Sequence, residues 1–349
     1  MGNIKANFFK NSDYPIPSPV TINYFGSIVG SSKFNGGVLA PNGKIYCIPH
    51  NSNVVLEIDP ILETTFTFGS LSGTARYSGG VLAPNGKIYC IPHNAEDVLE
   101  IDPVLQTATP FGSVLGSAKY VGGALAPNGK IYCAPYNANT ILEIDPVAKT
   151  TTTFGTVSGT LKYAGGVLAP NGKIYCIPLN STSILEIDPI TQTTATFGSI
   201  VGNSKYYGGK LAPNGKIYCI PLNSTSILEI DPVTQTTATF GSIVGNSKYV
   251  CGVLALNGRI YGSPLNSTQF LEIEPNLQLA TAFNTVSGTL KYAGGVLANG
   301  KIYFIPFNAT QVMVLTGLNA PNVLGSDATI PSPLSGLAAS NYNKYFNNY

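Results

Sequence analysis

The 349-residue sequence predicts an all-β protein, a seven-bladed β-propeller of four-stranded blades, and three observations predict it. A 43-residue unit recurs seven times, with Gly-Gly or its equivalent at Gly36, Gly79, Gly122, Gly165, Gly208, Cys251 and Gly294. Each unit holds four short runs of β-branched and aromatic residues, and its length is that of a four-stranded blade. The Thr-rich run ending in Phe-Gly occurs once before the first unit and is missing after the last, which points to a closed ring.

The elements follow from local chemistry. In the first unit they are Val38–Ala40, Lys44–Ile48, Val54–Asp59 and Thr64–Phe68. Asn42-Gly43 joins the first two as a two-residue hairpin loop, because a type I′ turn needs positive φ at both central residues. No segment shows the three-and-four spacing of an amphipathic helix, which excludes TPR, HEAT and ankyrin arrays. The fourth run ends at Phe68, Phe111, Phe154, Phe197, Phe240 and Phe283, and the seventh unit lacks one. Phe25 lies 43 residues before Phe68, so Thr21–Phe25 is expected to pair with the strand near Val312–Leu315 and complete the last blade. Such a closure ties the two ends of a toroidal sheet together and removes a free edge. The resulting organisation is an N-terminal extension over 1–13, the propeller over 14–317 and an irregular tail over 318–349.

The repeat "LAPNGKIYCIP…VLEIDP…TTTFG" resembles the blades of YVTN and NHL-like seven-bladed propellers, and more loosely those of virginiamycin B lyase. The resemblance implies the fold, in a group that includes scaffolds, ligand binders and a few lyases and lactonases. The enzymes of that group gather acidic, Asn or His groups at an axial metal.

Charged residues make up only 10% of the chain and the net charge is +2, so no strong overall field draws nucleic acid or an acidic membrane. No run is long enough for a signal peptide or a membrane span, and a soluble intracellular protein is expected. Gly2 fits an N-myristoylation start, but Ala6 stands where that motif uses Ser or Thr. Sequons at Asn180, Asn223, Asn266 and Asn308 read as loop copies of the repeat. Cys47, Cys90, Cys133, Cys176 and Cys219 fall 43 apart, on equivalent sites of neighbouring blades. Such sites are expected roughly 9–10 Å apart, beyond the span of about 7 Å that a disulfide bridges, so free buried thiols are expected.

Candidate chemistry is itself repeated. Lys44 and its equivalents follow each Asn-Gly and are expected to pair across the hairpin with the Asp of "EIDP". A second cation set, Lys33, Arg76, Lys119, Lys162, Lys205, Lys248 and Lys291, precedes the innermost strand and is expected to ring one mouth of the channel. Each is followed by an aromatic: Phe34, Tyr77, Tyr120, Tyr163, Tyr206, Tyr249 and Tyr292. Two readings are open for this ring. The cations bind an anionic ligand, or each anchors to the Glu of a neighbouring "EID". Lys210 replaces an apolar inner-strand residue and is read as a solvated channel lysine or an anion contact. His50 and His93 share a position where other units have Tyr, Leu or Phe, and are read as packing. No nucleophile elbow, Walker loop or zinc spacing stands out, and no cofactor or metal is expected.

Units four and five are nearly identical, and copied blades supply one group repeatedly where catalysis needs different groups at different points. The leading expectation is a non-enzymatic interaction or scaffold propeller that binds a protein or a small anionic ligand on one face. Alternatives are a metal-dependent lyase or lactonase-like enzyme, and a component of a larger assembly tethered by the tail. The tail's Tyr342, Tyr345, Phe346 and Tyr349 are read as an anchor or as folding back on the ring.

Overall fold

Seven antiparallel sheets of four strands each make up the fold in a computed structural model that describes residues 20–318. The readings of Gly2 and of the aromatic tail lie outside the described residues. Blade one consists of Phe34–Leu39, Ile45–Pro49, Val55–Asp59 and Thr64–Phe68, from the axis outward. The other blades repeat it, and no described residue is helical. None of the described residues forms a helix long and apolar enough to cross a membrane.

The ring closes as the sequence predicts. Thr21–Phe25 pairs antiparallel with Val312–Thr316, from Thr21 opposite Thr316 to Phe25 opposite Val312. It thereby becomes the outer strand of blade seven, beyond Tyr292–Ala298, Lys301–Pro306 and Val312–Thr316. At the axis, a Cβ added to Gly294 would lie 3.0 Å from the Gly36 Cα, and one on Gly36 would lie 3.3 Å from the Gly79 Cα. Inner strands thus meet backbone to backbone around the ring, and the first glycine of each Gly-Gly, with positive φ, makes that approach possible.

Inner strands begin earlier than the sequence suggests, at Phe34 instead of Val38. A bulge at Gly36-Gly37 shifts the register between Phe34 and Gly37 without ending the strand. The aromatic after each ring cation is therefore a strand residue and is buried.

Each core lies between blades. Val38, Tyr46 and Ile48 of blade one pack on Tyr77, Ile88, Cys90 and Leu99 of blade two. All six cysteines are free and buried, and burial pushes their thiols up.

Strand directions define two faces. One carries the long connections between blades and the loops after the second strands, and is called here the mouth face. The opposite face carries the Asn-Gly turns and the Asp-Pro turns.

Candidate functional site

On the opposite face the charges satisfy one another. Lys44 Nζ lies 2.6 Å from Glu57 Oε1 and 3.9 Å from Asp59 Oδ2. The Tyr46 hydroxyl, opposite Glu57 in the register, donates to Glu57 Oε2 at 2.9 Å. Gln106 of the next blade adds a third donor at 3.0 Å. Burial pushes the Glu57 carboxyl up, but the hydrogen bonds from Lys44, Gln106 and Tyr46 outweigh it and hold the group below its ordinary value. Lys44 therefore pairs first with Glu57, which corrects the expectation of an Asp partner. The reason is that Asp59 Oδ1 accepts from the Ile61 and Leu62 amides at 2.9 and 3.0 Å and is used to build the turn.

This assignment also takes the Glu residues away from the second cation set. On the mouth face, Lys33 Nζ donates to the Gly30 carbonyl at 2.9 Å and to the Ala309 carbonyl of blade seven at 2.8 Å. Lys119, Lys162, Lys205, Lys248 and Lys291 repeat this double carbonyl contact. Arg76 Nη1 donates to the Gly73 carbonyl, while its Nε and Nη2 are buried without a partner. The anchoring of each cation to a neighbouring Glu is thus not what holds this ring. Each of the six lysines clamps its connection to the preceding blade, Arg76 reaches only the Gly73 carbonyl of its own connection, and no described carboxylate forms a salt bridge with any of the seven. Burial lowers the lysine ammoniums, to about 8 at Lys162 and Lys205.

The tyrosines after the cations are buried between blades. Tyr163, Tyr206 and Tyr249 share hydrogen bonds with Ser181, Ser224 and Ser267 at 2.8 to 2.9 Å, Tyr120 contacts Thr140, and Tyr77 donates to Asp97. Tyr292 packs against Phe304. The polar ends of these side chains tie strand to loop beneath the mouth surface.

Lys210 is also buried, at 5% exposure, which corrects its reading as a solvated channel lysine. Its position in other blades holds Val or Ala packed into the cores between blades, and burial lowers it to about 8. Its charge and the Cys251 thiol of blade six influence each other.

The axis holds groups that sequence reasoning passed over. The inner-strand position after the buried aromatic reads Asn35, Ser78, Val121, Ala164, Tyr207, Val250 and Ala293 around the ring. Tyr207 of blade five reaches across the channel, with its hydroxyl 3.4 Å from Asn35 Nδ2 and 3.3 Å from Ser78 Oγ. Asn35 is 9% exposed and its Oδ1 is buried without a partner. Beside this bridge, His50 lies between Phe307 and His93, tilted against each at ring distances of 5.8 and 6.0 Å, and His93 meets Tyr136 edge-on at 5.5 Å. Leu179, Leu222 and Leu265 occupy the rest of the circle at the same repeat position. Burial lowers both imidazoles, with His93 pushed to about 4 by burial and then by the neighbouring His50. His50 Nδ1 contacts the Tyr77 carbonyl at 3.0 Å, whereas His93 Nδ1 has no partner. The two histidines thus line one side of the mouth, half-buried, as neutral rings. The variation of this axial position within an otherwise uniform repeat is the signal that marks it. Among the described residues, no group of three or more His, Cys, Asp or Glu comes together as a metal site.

Comparison with known proteins agrees with this architecture. A family described as a repeat of unknown function (DUF6923) matches residues 88–220, from the second strand of blade two to that of blade five. No curated protein sequence matches the chain. Among solved structures, virginiamycin B lyase from Staphylococcus aureus is similar at a TM-score of 0.75 and 13% identity, over 85% of this chain and 99% of the lyase. Hydrazine synthase from Kuenenia stuttgartiensis gives 0.65 and 13%, over 84% and 98%. An extracellular domain of a one-component system from B. thetaiotaomicron gives 0.65 and 10%, over 82% of this chain and 41% of that one. The likeness is one of fold, and this chain is a seven-bladed β-propeller similar in architecture to virginiamycin B lyase.

Proposed function

We propose that this protein is a non-enzymatic interaction propeller that takes an anionic ligand at the mouth of its channel. The observation that carries this reading is the unequal fate of the two cation sets. On the opposite face, Lys and Arg meet Glu and Asp, whereas the seven mouth-face cations meet carbonyl oxygens. A carbonyl satisfies the hydrogen bond of an ammonium without cancelling its charge, so the positive potential extends to the mouth. The buried cations supply the field, while Asn35, His93, Tyr207 and the flanking rings supply the contacts. A ligand with a planar or apolar part beside its anion suits the arc from Phe307 to Tyr136.

The repetition of the blades supports binding over catalysis, and the lyase-like reading has the fold alone in its favour. Buried free thiols support a reducing compartment. A test uses a fluorescent sulfated oligosaccharide and an acidic peptide as probes, followed by anisotropy at several salt concentrations. Binding weakens as salt rises. The double substitution Asn203→Glu and Asn246→Glu, on exposed mouth-face loops, weakens it about tenfold, equivalent to roughly 1.4 kcal/mol. Thr191→Glu on the opposite face leaves it unchanged. Equal affinity in all three proteins would overturn the reading.

A further inference from the structure

We propose that the discs stack face to face, with the mouth face of one copy seated on the opposite face of the next, so that a second copy of this chain is a partner. The first observation is an apolar ring that folding does not require. Ile61, Val104, Val147, Ile190 and Val233 recur every 43 residues in the Asp-Pro turns and are 79–88% exposed. These turns are built by the Asp carboxylate on two backbone amides, and β-branched aliphatic residues are poor choices for exposed turn positions. Repeated exposed apolar residues on one face mark a contact surface.

The mouth face carries a matching set, Val29, Leu115, Val201 and Val244, exposed by 74–84%. Both sets sit over the outer half of the blades. The Asp-Pro turns join third to fourth strands, and the connection bearing Val29 bonds through the Ile28 amide to the Thr310 carbonyl, just before a third strand. Apolar groups of one face therefore meet those of the other at similar distance from the axis.

Charge selects which faces meet. Among the described residues the mouth face holds seven cations and two acids, Glu96 and Asp97, while the opposite face holds eight cations and thirteen acids. A molecule of net charge +2 thus has two faces of opposite sign. Like faces repel and unlike faces attract, which excludes the two-fold pairing of identical faces and favours head-to-tail contact. Such a heterologous contact does not close on itself, and it propagates as a column. The seven similar blades give several nearly equivalent rotational settings. The inference stands apart from the axial site, since the contact rings lie outside the channel.

Sedimentation velocity of the full chain tests it. Self-association grows with concentration and falls about tenfold or more between about 50 mM and about 500 mM salt. Two exposed-residue variants block one face each: Val147→Lys, Ile190→Lys and Val233→Lys together on the opposite face, and Leu115→Lys, Val201→Lys and Val244→Lys together on the mouth face. Each variant alone is a monomer, and their equimolar mixture forms a one-to-one complex, because each keeps the face that the other needs. A wild-type chain that stays monomeric up to about 100 µM overturns the proposal, since a stable interface binds well below that. So does a blocked variant that still self-associates, or a mixture that stays monomeric. Anion binding at the mouth is read by anisotropy on the same variants at dilutions where all are monomeric, so the two proposals fail separately.

Discussion

At the scale of single residues, the second glycine of the Gly-Gly pair is a packing requirement in most blades, Gly166 being the roomiest of them. A Cβ on Gly123 would sit 2.7 Å from the Tyr132 carbonyl oxygen, a backbone atom held in the hairpin. Gly123→Ala is expected to lower stability by about 1–3 kcal/mol in chemical denaturation, as overpacking does. The tyrosine of "KIY" works through its hydroxyl. Tyr175 donates to Glu186 at 2.9 Å and to the Pro232 carbonyl of the next blade at 3.2 Å. Glu186 keeps its bonds from Lys173 and Gln235 and the Pro232 carbonyl keeps that from Asn171, so Tyr175→Phe removes one donor and is expected to cost about 0.5–1.5 kcal/mol in chemical denaturation.

The histidines add a pH dependence. Their folded values lie below the ordinary 6.5, so the unfolded chain takes up the proton first as pH falls. Stability is full above 6.5 and declines as pH drops toward the His93 value of about 4. Glu57, Asp59 and their equivalents in blades two to five, held below their ordinary values, add a loss that begins lower, below about 4.5. His93→Leu, the residue that blade four uses at this position, is expected to flatten the melting temperature between pH 6.5 and 4.5 while leaving the steeper loss below it.

At the scale of elements, the closing strand carries the largest consequence. Thr21–Phe25 covers the third strand of blade seven, and Phe25 packs edge-on against Tyr303 at 6.3 Å. A chain beginning at Gly26 would expose the edge of Val312–Thr316, and an exposed apolar edge strand recruits other chains. Such a truncation is expected to aggregate or lose cooperative unfolding, read by light scattering during a thermal melt. This strand was legible in the sequence because the 43-residue spacing places Phe25 in phase with Phe68. The inner-strand start was not, because Gly-Gly reads as an interruption and only the paired partner shows that it is a bulge. The choice of Glu57 over Asp59 for Lys44 was likewise hidden until the turn claimed the aspartate.

At the scale of the whole molecule, polarity between the faces replaces net charge as the relevant electrostatic quantity. The composition implies an almost neutral particle, and that inference holds only for the sum. Distribution of the charges by face follows from strand direction, which sends the connections to one side and the turns to the other. The opposite-sign faces predict an electric dipole along the ring axis, and dielectric dispersion on a monomeric face-blocked variant is expected to show a moment that falls when Asn203→Glu and Asn246→Glu are added.

By itself, the sequence determined the blade count, the strand order and the closure, because a repeat writes the same local chemistry seven times and its phase is countable. Only the tertiary structure decided what faces the axis, which cations keep their charge uncancelled, and that Tyr207 bridges to Asn35 and Ser78. These are contacts between blades 129 or more residues apart. No local pattern encodes them, since they depend on the ring bringing distant copies of one position together.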